Sequence, residues 1–477
     1  MLTPPAIYPF CLFLLFKDHP PSYPRTRGDI KETNQGKMKV YKFDDASLES
    51  AKRFAQTFRL ATSDPEPKIV VVSASPATRS TLNGLCELCY GEKADLAREK
   101  ADQLRRSYHQ NADTLFHSEQ TRRCAHEFID AKFDALTRYL TDYFVVQDEK
   151  TVLSFGDAIE SELFHYYLGE NGTQSVLIPA LSFMRTDRLG EPDMYYIAQN
   201  LAPKLEANRQ ADLFITQGYI CLNAWGETDY LQHGGSDYTA TIVAAAICAR
   251  EVQIWTDADR LRENDAHIVQ DAAVVETLSY TEAEELAYFG AKILHPQCIL
   301  PAHNAGVPIR LKYTRDPKAD GTLISSNYGQ GGVKAVAAKD GAIAIKIQSG
   351  RMMLAYGFLR RIFEVFERYR TPIDMITTSE VAVSLTIDDD NYLSRIVSEL
   401  REFGSVSVDK DQSIVSVVGH DIVEDPRSMQ IFAALKGHPV RMISYGGSRN
   451  NISFVIDTEE KTAVLRKLSE ALFGKKK

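Results

Sequence analysis

Apolar residues in this chain gather in runs of five or six, and between most of these runs they recur at three- and four-residue intervals. Lys68–Ser73 (Lys-Ile-Val-Val-Val-Ser) is continuous and β-branched, the mark of a strand buried on both faces. Met38–Phe43 alternates polar and apolar positions and closes on Asp44-Asp45-Ala46-Ser47, where Ser47 is expected to cap an amphipathic helix over Leu48–Leu60. Thr151–Phe155, Gln174–Pro179, Leu213–Gln217 and Glu251–Thr256 read as further short strands, each joined to a helical pattern. A long, charged, mainly helical insertion fills Gly91–Tyr143. Strands alternating with helices predict an α/β fold, a parallel sheet covered on both faces. Ligands of such sheets bind at the carboxyl ends of the strands.

From Val333 the pattern changes. Ile343–Gln348, a helix over Tyr356–Tyr369, Asp374–Thr378, Ala382–Ile387, a helix over Tyr392–Phe403 and Ser405–Val408 form a β-α-β-β-α-β series. Ser413–Val418, Ser428–Lys436, Val440–Ser444, Ile452–Asp457 and a closing helix over Glu460–Phe473 repeat the order. Two such units predict paired ferredoxin-like modules, suited to sensing, to dimerisation or to both. The expected division is an enzyme-like domain over 38–325, a linker over 326–342 and the paired modules over 343–477. Residues 1–37 do not resemble the rest of the chain. Ile7–Phe16 is apolar but too short to span a bilayer, and Pro20, Pro21 and Pro24 lead into a polar stretch. This segment is expected to be a disordered extension, with Met38 as the translation start.

A chain of 477 residues has room for two to four domains. Its net charge of −9 is spread along the chain, which argues against a dedicated nucleic-acid surface. Seven cysteines are scattered without zinc spacing, and Cys86 and Cys89 form a lone C-x-x-C on an expected helix. Reduced core thiols and a cytoplasmic location are the expectation, with no metal ligands and no membrane partner.

Candidate chemistry centres on Leu231–Ala240 (Leu-Gln-His-Gly-Gly-Ser-Asp-Tyr-Thr-Ala). Two glycines let backbone N–H groups approach a ligand, and Ser236 and Asp237 stand where an apolar helix begins, a natural anion site. Together with Thr216-Gln217-Gly218-Tyr219, Gln253–Asp257, Leu286–Pro296 and Pro372–Val383, this segment resembles the aspartokinase family from Met38 to Phe473. The resemblance implies an amino-acid-kinase α/β/α sandwich followed by tandem ACT modules. The implied reaction is phosphorylation of L-aspartate to 4-phospho-L-aspartate by ATP with Mg²⁺, opening the aspartate-family amino-acid pathway. It also implies a homodimer or higher homo-oligomer built through the ACT modules. Lys42 and Asp237 would be catalytic, with Lys42, Ser47, Thr256, Asp257 and Lys292 on the nucleotide. Asp157, His233, Ser236 and Arg79 would meet the substrate. Met352, Gly357, Phe358, Leu359, Asp374, Thr378, Ser379 and Glu380 would receive an amino-acid effector, lysine by preference.

Several loops depart from the family pattern. Lys-Phe-Gly-Gly-Thr-Ser is here Lys42-Phe43-Asp44-Asp45-Ala46-Ser47, so two carboxylates replace two glycines beside the phosphates. At ~4 Å and an effective dielectric of about 20, one such like-charge pair repels by roughly 4 kcal/mol. His233 stands for the arginine that grips the substrate carboxylate, Gly156-Asp157 for Gly-Glu, and Arg79 for a threonine. Asp259-Arg260 and Asp265-Ala266-His267 replace Asp-Gly and Asp-Pro-Arg. Arg79 either supplies the missing arginine's charge or plugs the pocket. Two readings result: an aspartate kinase with amino-acid feedback, or a catalytically impaired relative serving as a regulatory or interaction subunit. Another carboxylate or carbamate kinase would leave the two ACT modules unexplained.

Overall fold

The structure, a computed structural model, describes residues 38–231, 234–258, 260–291, 294–327, 332–350 and 356–474. The expected extension over 1–37 lies outside them, as do His233, Lys292 and Met352. The first domain runs β1 (Lys39–Phe43), α1 (Ala51–Thr62), β2 (Lys68–Val72), α2 (Pro76–Tyr90), α3 (Ala94–Leu115), α4 (Glu119–Thr137), α5 (Val146–Glu170), β3 (Val176–Leu177), α6 (Met194–Ala207) and β4 (Leu213–Gln217). It continues through a hairpin, β5 (Ile220–Leu222) and β6 (Thr228–Tyr230), to α7 (Gly235–Ala246), β7 (Glu251–Thr256), β8 (Thr277–Ser279), α8 (Tyr280–Tyr288), α9 (Pro296–Ala305), β9 (Ile309–Tyr313) and β10 (Thr322–Ser325).

Eight strands form one sheet in the order β3-β4-β2-β1-β7-β9-β10-β8, with parallel pairing except between β9 and β10. Alternate side chains feed two cores, as a sheet buried on both faces requires. Val40, Ile69, Val71, Phe214 and Ile254 pack with residues of α6 to α9. Tyr41, Phe43, Val70, Val72, Ile215 and Trp255 pack with residues of α1, α3, α4 and α5. From β1 the sheet extends through β2 and β4 on one side and through β7 and β9 on the other. The carboxyl ends of these strands therefore open on a crevice at the switch point.

Three local expectations are corrected. Thr151–Phe155 lies inside α5 rather than in a strand. That helix is enclosed on several sides, burying Val152, Ser154, Gly156, Asp157, Ile159 and Glu160, and a short apolar run does not separate a strand from so enclosed a helix. Of Gln174–Pro179, only Val176–Leu177 forms a strand. The cap of α1 is Ser50, whose side chain accepts from the Arg53 N–H. Ser47 sits one turn earlier in a 3₁₀ turn, Asp45–Leu48.

The second half holds β11 (Gly332–Gln348), α10 (Phe358–Arg368), β12 (Met375–Thr378), β13 (Ala382–Ile387), α11 (Leu393–Leu400), β14 (Ser405–His420), α12 (Ser428–Ala434), β15 (Val440–Ser444), β16 (Asn451–Asp457) and α13 (Lys461–Phe473). Its six strands make one antiparallel sheet, β12-β13-β11-β14-β16-β15. Much of the expected linker is strand, because β11 begins at Gly332. The last part of β11 (Ile345–Gln348) pairs with the first part of β14 (Ser405–Val408), and the early part of β11 pairs with Ser413–His420. Each half covers its own core, one around Ile345, Phe366 and Leu385, the other around Val336, Val417 and Phe454. The modules are thus nested rather than consecutive: the second takes one strand from the chain that precedes the first. Among the described residues no helix is long and apolar enough to cross a membrane.

Candidate active site

Register in the sheet sets Lys42 of β1 beside Val71 of β2 and Ile254 of β7, with Val72 beside Gln217 of β4 and Thr256 beside Tyr313 of β9. The loops after these strands form the crevice floor. Gly218, directly after β4, leaves room for α7, since a β-carbon there would lie 2.5 Å from Ser236 Cβ. Gly234 and Gly235 hold left-handed backbone (φ 69° and 53°), the turn from which α7 starts.

Lys42 is buried, and its Nζ lies 2.8 Å from Asp237 Oδ1 and 3.8 Å from Asp45 Oδ1. Burial opposes its charge, but Asp237, Asp45 and Asp44 outweigh that and hold its pKa above the ordinary lysine value. The Ser73 and Ser236 hydroxyls each donate to Asp45 Oδ1 at 3.1 Å, and Arg79 Nη1 lies 4.0 Å from Asp45 Oδ2. Donors and cations from β1, the loop after β2, α2 and α7 therefore surround one carboxylate. At the end of β7, Asp44 Oδ2 accepts from Thr256 Oγ1 and the Asp257 N–H, both at 3.4 Å. Asp257 is itself held by Arg53 and Thr314, which overcome burial and keep its carboxyl below the usual range. Ser47 is buried, its N–H donating to the Asp44 carbonyl and its carbonyl accepting from Thr57.

Asp157 reaches the crevice from α5. Its Oδ1 accepts the Ala74 N–H at 2.8 Å and lies 3.6 Å from Arg79 Nη2. Burial pushes its carboxyl up to about 7 despite Arg79 and the Ala74 N–H. Three residues on, Glu160 is also pushed up to about 7 by burial, against hydrogen bonds from Ser75, Thr78 and Tyr108. A carboxyl whose folded pKa lies above its unfolded value contributes stability that is complete below about pH 4 and is lost as pH rises through about 7. Asp157→Asn removes its own share of this pH dependence and leaves that of Glu160. Relative to the unsubstituted chain, the variant is expected to gain on the order of 2 kcal/mol between pH 5 and pH 8, read from denaturant unfolding at the two pH values.

Lys42, Ser236, Asp237, Arg79 and Asp157 thus meet in one crevice, with Thr256 and Asp257 along its rim. Tyr219, Tyr230 and Ser73 belong to the same crevice and were not among the expected residues. For Tyr219 the turn after a buried strand was a signal. Tyr230 carried none, because it arrives through the β5–β6 hairpin.

The expected effector residues separate into two groups and one buried acid. Gly357, Phe358 and Leu359 form the start of α10, and Thr378, Ser379 and Glu380 lie at the β12–β13 turn. Asp374 is turned inward, accepting from Lys339 Nζ at 2.8 Å and from Tyr288 of α8 at 3.4 Å. The Ser379 hydroxyl accepts the Ala382 N–H at 3.1 Å within its own turn.

Residues 37–312 match the amino acid kinase family and residues 415–472 match an ACT domain. The chain is 31% identical to the lysine-sensitive aspartokinase 3 of Escherichia coli, over 91% of this chain and 99% of that protein. It belongs to the aspartokinase family. Aspartokinase 2 of Arabidopsis thaliana, a chloroplastic protein, is 30% identical over 91% of this chain and 84% of its own length. Among solved aspartokinases, E. coli aspartokinase III with lysine and aspartate matches with a TM-score of 0.78 at 30% identity, covering 91% of this chain and 99% of that one. The same enzyme with aspartate and ADP matches at 0.76 and 29% identity.

An aspartokinase needs a phosphate site, and the residues here fit one. The Asp45 carboxylate is a stand-in anion, held by two hydroxyls and flanked by two cations beside a helix N-terminus. Among the described residues no three His, Cys, Asp or Glu side chains converge to hold a metal ion. Magnesium at such a site would rest chiefly on nucleotide phosphates, its common arrangement in kinases.

Proposed function

We propose that this chain transfers the γ-phosphoryl group of ATP to the side-chain carboxylate of L-aspartate, giving 4-phospho-L-aspartate. The observation that carries this reading is the meeting of Lys42, Ser236 and Asp237 at the switch point of the sheet. Phosphoryl transfer makes few covalent demands on a protein and depends on positioning and charge compensation. Lys42 supplies the compensating charge at the transferring group, and Asp237 keeps that ammonium charged and aimed. The α7 N-terminus and the Ser236 hydroxyl supply fixed donors that need no reorganisation. Bound ATP and Mg²⁺ supply the phosphoryl group and its neutralising cation; Lys42, Ser236 and Thr256 are the described residues that would hold them, together with Lys292. Asp257, locked by Arg53 and Thr314, stiffens the nucleotide rim.

Control by an amino acid, lysine by preference, is assigned to the α10 start and the β12–β13 turn. Dimerisation is assigned to the same half, where Ile376 of β12 and Val381 of the β12–β13 turn are exposed. A second reading, an impaired kinase kept for regulation, is favoured by one observation: Asp45 occupies the phosphate donors. The test is acyl-phosphate trapping with hydroxylamine on the full chain with ATP, Mg²⁺ and L-aspartate. Hydroxamate at steady turnover supports the kinase; none, with lysine still raising the melting temperature, supports the second reading.

A further inference from the structure

Arg79 is propped with unusual care. Its guanidinium lies over the Tyr219 ring, 4.7 Å from the centroid, and Tyr219 stacks on Tyr230 at 5.1 Å with the planes 6° apart. Lys150 Nζ closes the stack 5.7 Å from the Tyr230 centroid and pairs with Asp229 at 2.8 Å. Tyr219 holds a left-handed backbone (φ 73°), and its N–H donates to Thr239 Oγ1 at 2.9 Å. A bulky residue keeps such a conformation where its surroundings impose it, and functional sites are where this concentrates.

The propped fork is incompletely used. Arg79 Nη2 is buried and has no hydrogen-bond partner among the described residues. The carboxylates facing it stay outside hydrogen-bond range, Asp157 Oδ1 at 3.6 Å and Asp45 Oδ2 at 4.0 Å. An open cavity of 590 Å³, lined by Asp45, Arg79, Ser80, Asn83 and Lys100 among others, leads to this point. A guanidinium fork beside a buried carboxylate is the complement of an α-amino acid head group, whose carboxylate and ammonium sit side by side.

We infer that Arg79 grips the α-carboxylate of the acidic amino-acid substrate, completing a clamp with Asp157, which the family resemblance already sets against the substrate and which takes its α-ammonium. Recognition of the head group then lies on α2 and α5 rather than in the loop before Gly234, where histidine stands. Arg79 is not a plug, because its fork still has a donor to give. This inference rests on the kinase reading for the identity of the substrate, and binding tests it without turnover.

Isothermal titration of the full chain uses three probes: L-aspartate, β-alanine, which lacks the α-carboxylate, and succinate, which lacks the amine. The unsubstituted chain is expected to prefer L-aspartate over each analogue by about 10–100-fold, the worth of one charge-assisted contact. Arg79→Ala is expected to lose that factor for L-aspartate while binding β-alanine as before, and Arg79→Lys to recover only part of it. Asp157→Asn is expected to lose the preference over succinate alone. A merely structural arginine would weaken L-aspartate and β-alanine equally in Arg79→Ala, and that result overturns the clamp. So does unchanged L-aspartate affinity in that variant, or no L-aspartate binding by the unsubstituted chain. Absence of hydroxamate with the binding pattern intact removes the kinase reading and leaves the clamp standing. Hydroxamate formation with an Arg79→Ala KM equal to that of the unsubstituted chain does the reverse.

Discussion

Asp45→Gly is expected to raise kcat/KM for ATP by about 100-fold. The Asp45 carboxylate accepts from Ser73 and Ser236 and lies within 4.0 Å of Lys42 and Arg79, so it takes the donors a phosphate would use. It also sets a negative charge against the incoming ones. At ~4 Å one such repulsion is worth roughly 4 kcal/mol at an effective dielectric of about 20. The side chain is 36% exposed, so solvent and salt reduce this to about 2–3 kcal/mol, or roughly 100-fold. Asp45→Asn keeps the shape without the charge and should recover most of the gain. Glycine in the 3₁₀ turn costs about 1 kcal/mol of stability, visible as a small fall in melting temperature. Steady-state kinetics against ATP check the result; a fall in kcat/KM for both variants would mean that Asp45 assists the reaction.

Lys42→Met is expected to lower kcat by about 100–1,000-fold, the usual scale for removing a fixed electrostatic stabiliser of the transition state. The same change orphans Asp237, its 2.8 Å partner, and breaking a buried pair costs about 3–5 kcal/mol, less here because Asp237 remains partly exposed. Lost activity alone would therefore not separate chemistry from folding. Lys42→Met combined with Asp237→Asn removes the orphaned charge, and its melting temperature should return toward that of the unsubstituted chain. Its turnover should not. Recovery of activity in the double variant would show that Lys42 serves the fold rather than the reaction.

Much of the first domain was legible because its signals are local. Buried parallel strands read as continuous β-branched runs, and Lys68–Val72 and Leu213–Gln217 stand where those runs lie. The failure at Thr151–Phe155 has the same origin, since an enclosed helix and a buried strand present the same short apolar run. Lys42, Ser236 and Asp237 were legible through the sequence around each of them. Their companions were less so. Tyr219 and Tyr230 owe their roles to a stacking partner across a hairpin, and Ser73 to an aspartate from another loop. Nesting of the two modules was hidden because strand pairing depends on which distant segment arrives, and the pattern of one strand does not record its partner.

That nesting also decides how the two halves of the protein can speak to each other. β11 spans 17 residues, a beam roughly 55 Å long at about 3.3 Å per residue, hydrogen-bonded along most of its length to β14. Both strands are creased at the same level, by left-handed Gly341 (φ 81°) in one and Asp411 (φ 56°) in the other, where the register shifts. The kinase domain grips the near end of this beam: the Val336 N–H donates to the Glu263 carbonyl at 2.8 Å, and Asn264 donates to the Leu465 carbonyl at 3.0 Å. The far end is held as well, where Tyr288 of α8 donates to Asp374 at 3.4 Å, so a ligand that tilts it can act on the kinase domain through that contact as well as along the backbone. No single cut frees either module, because the first is an insertion between two strands of the second: the chain leaves it after Ala342 in β11 and returns at Gln412 in β14, and those two residues pair.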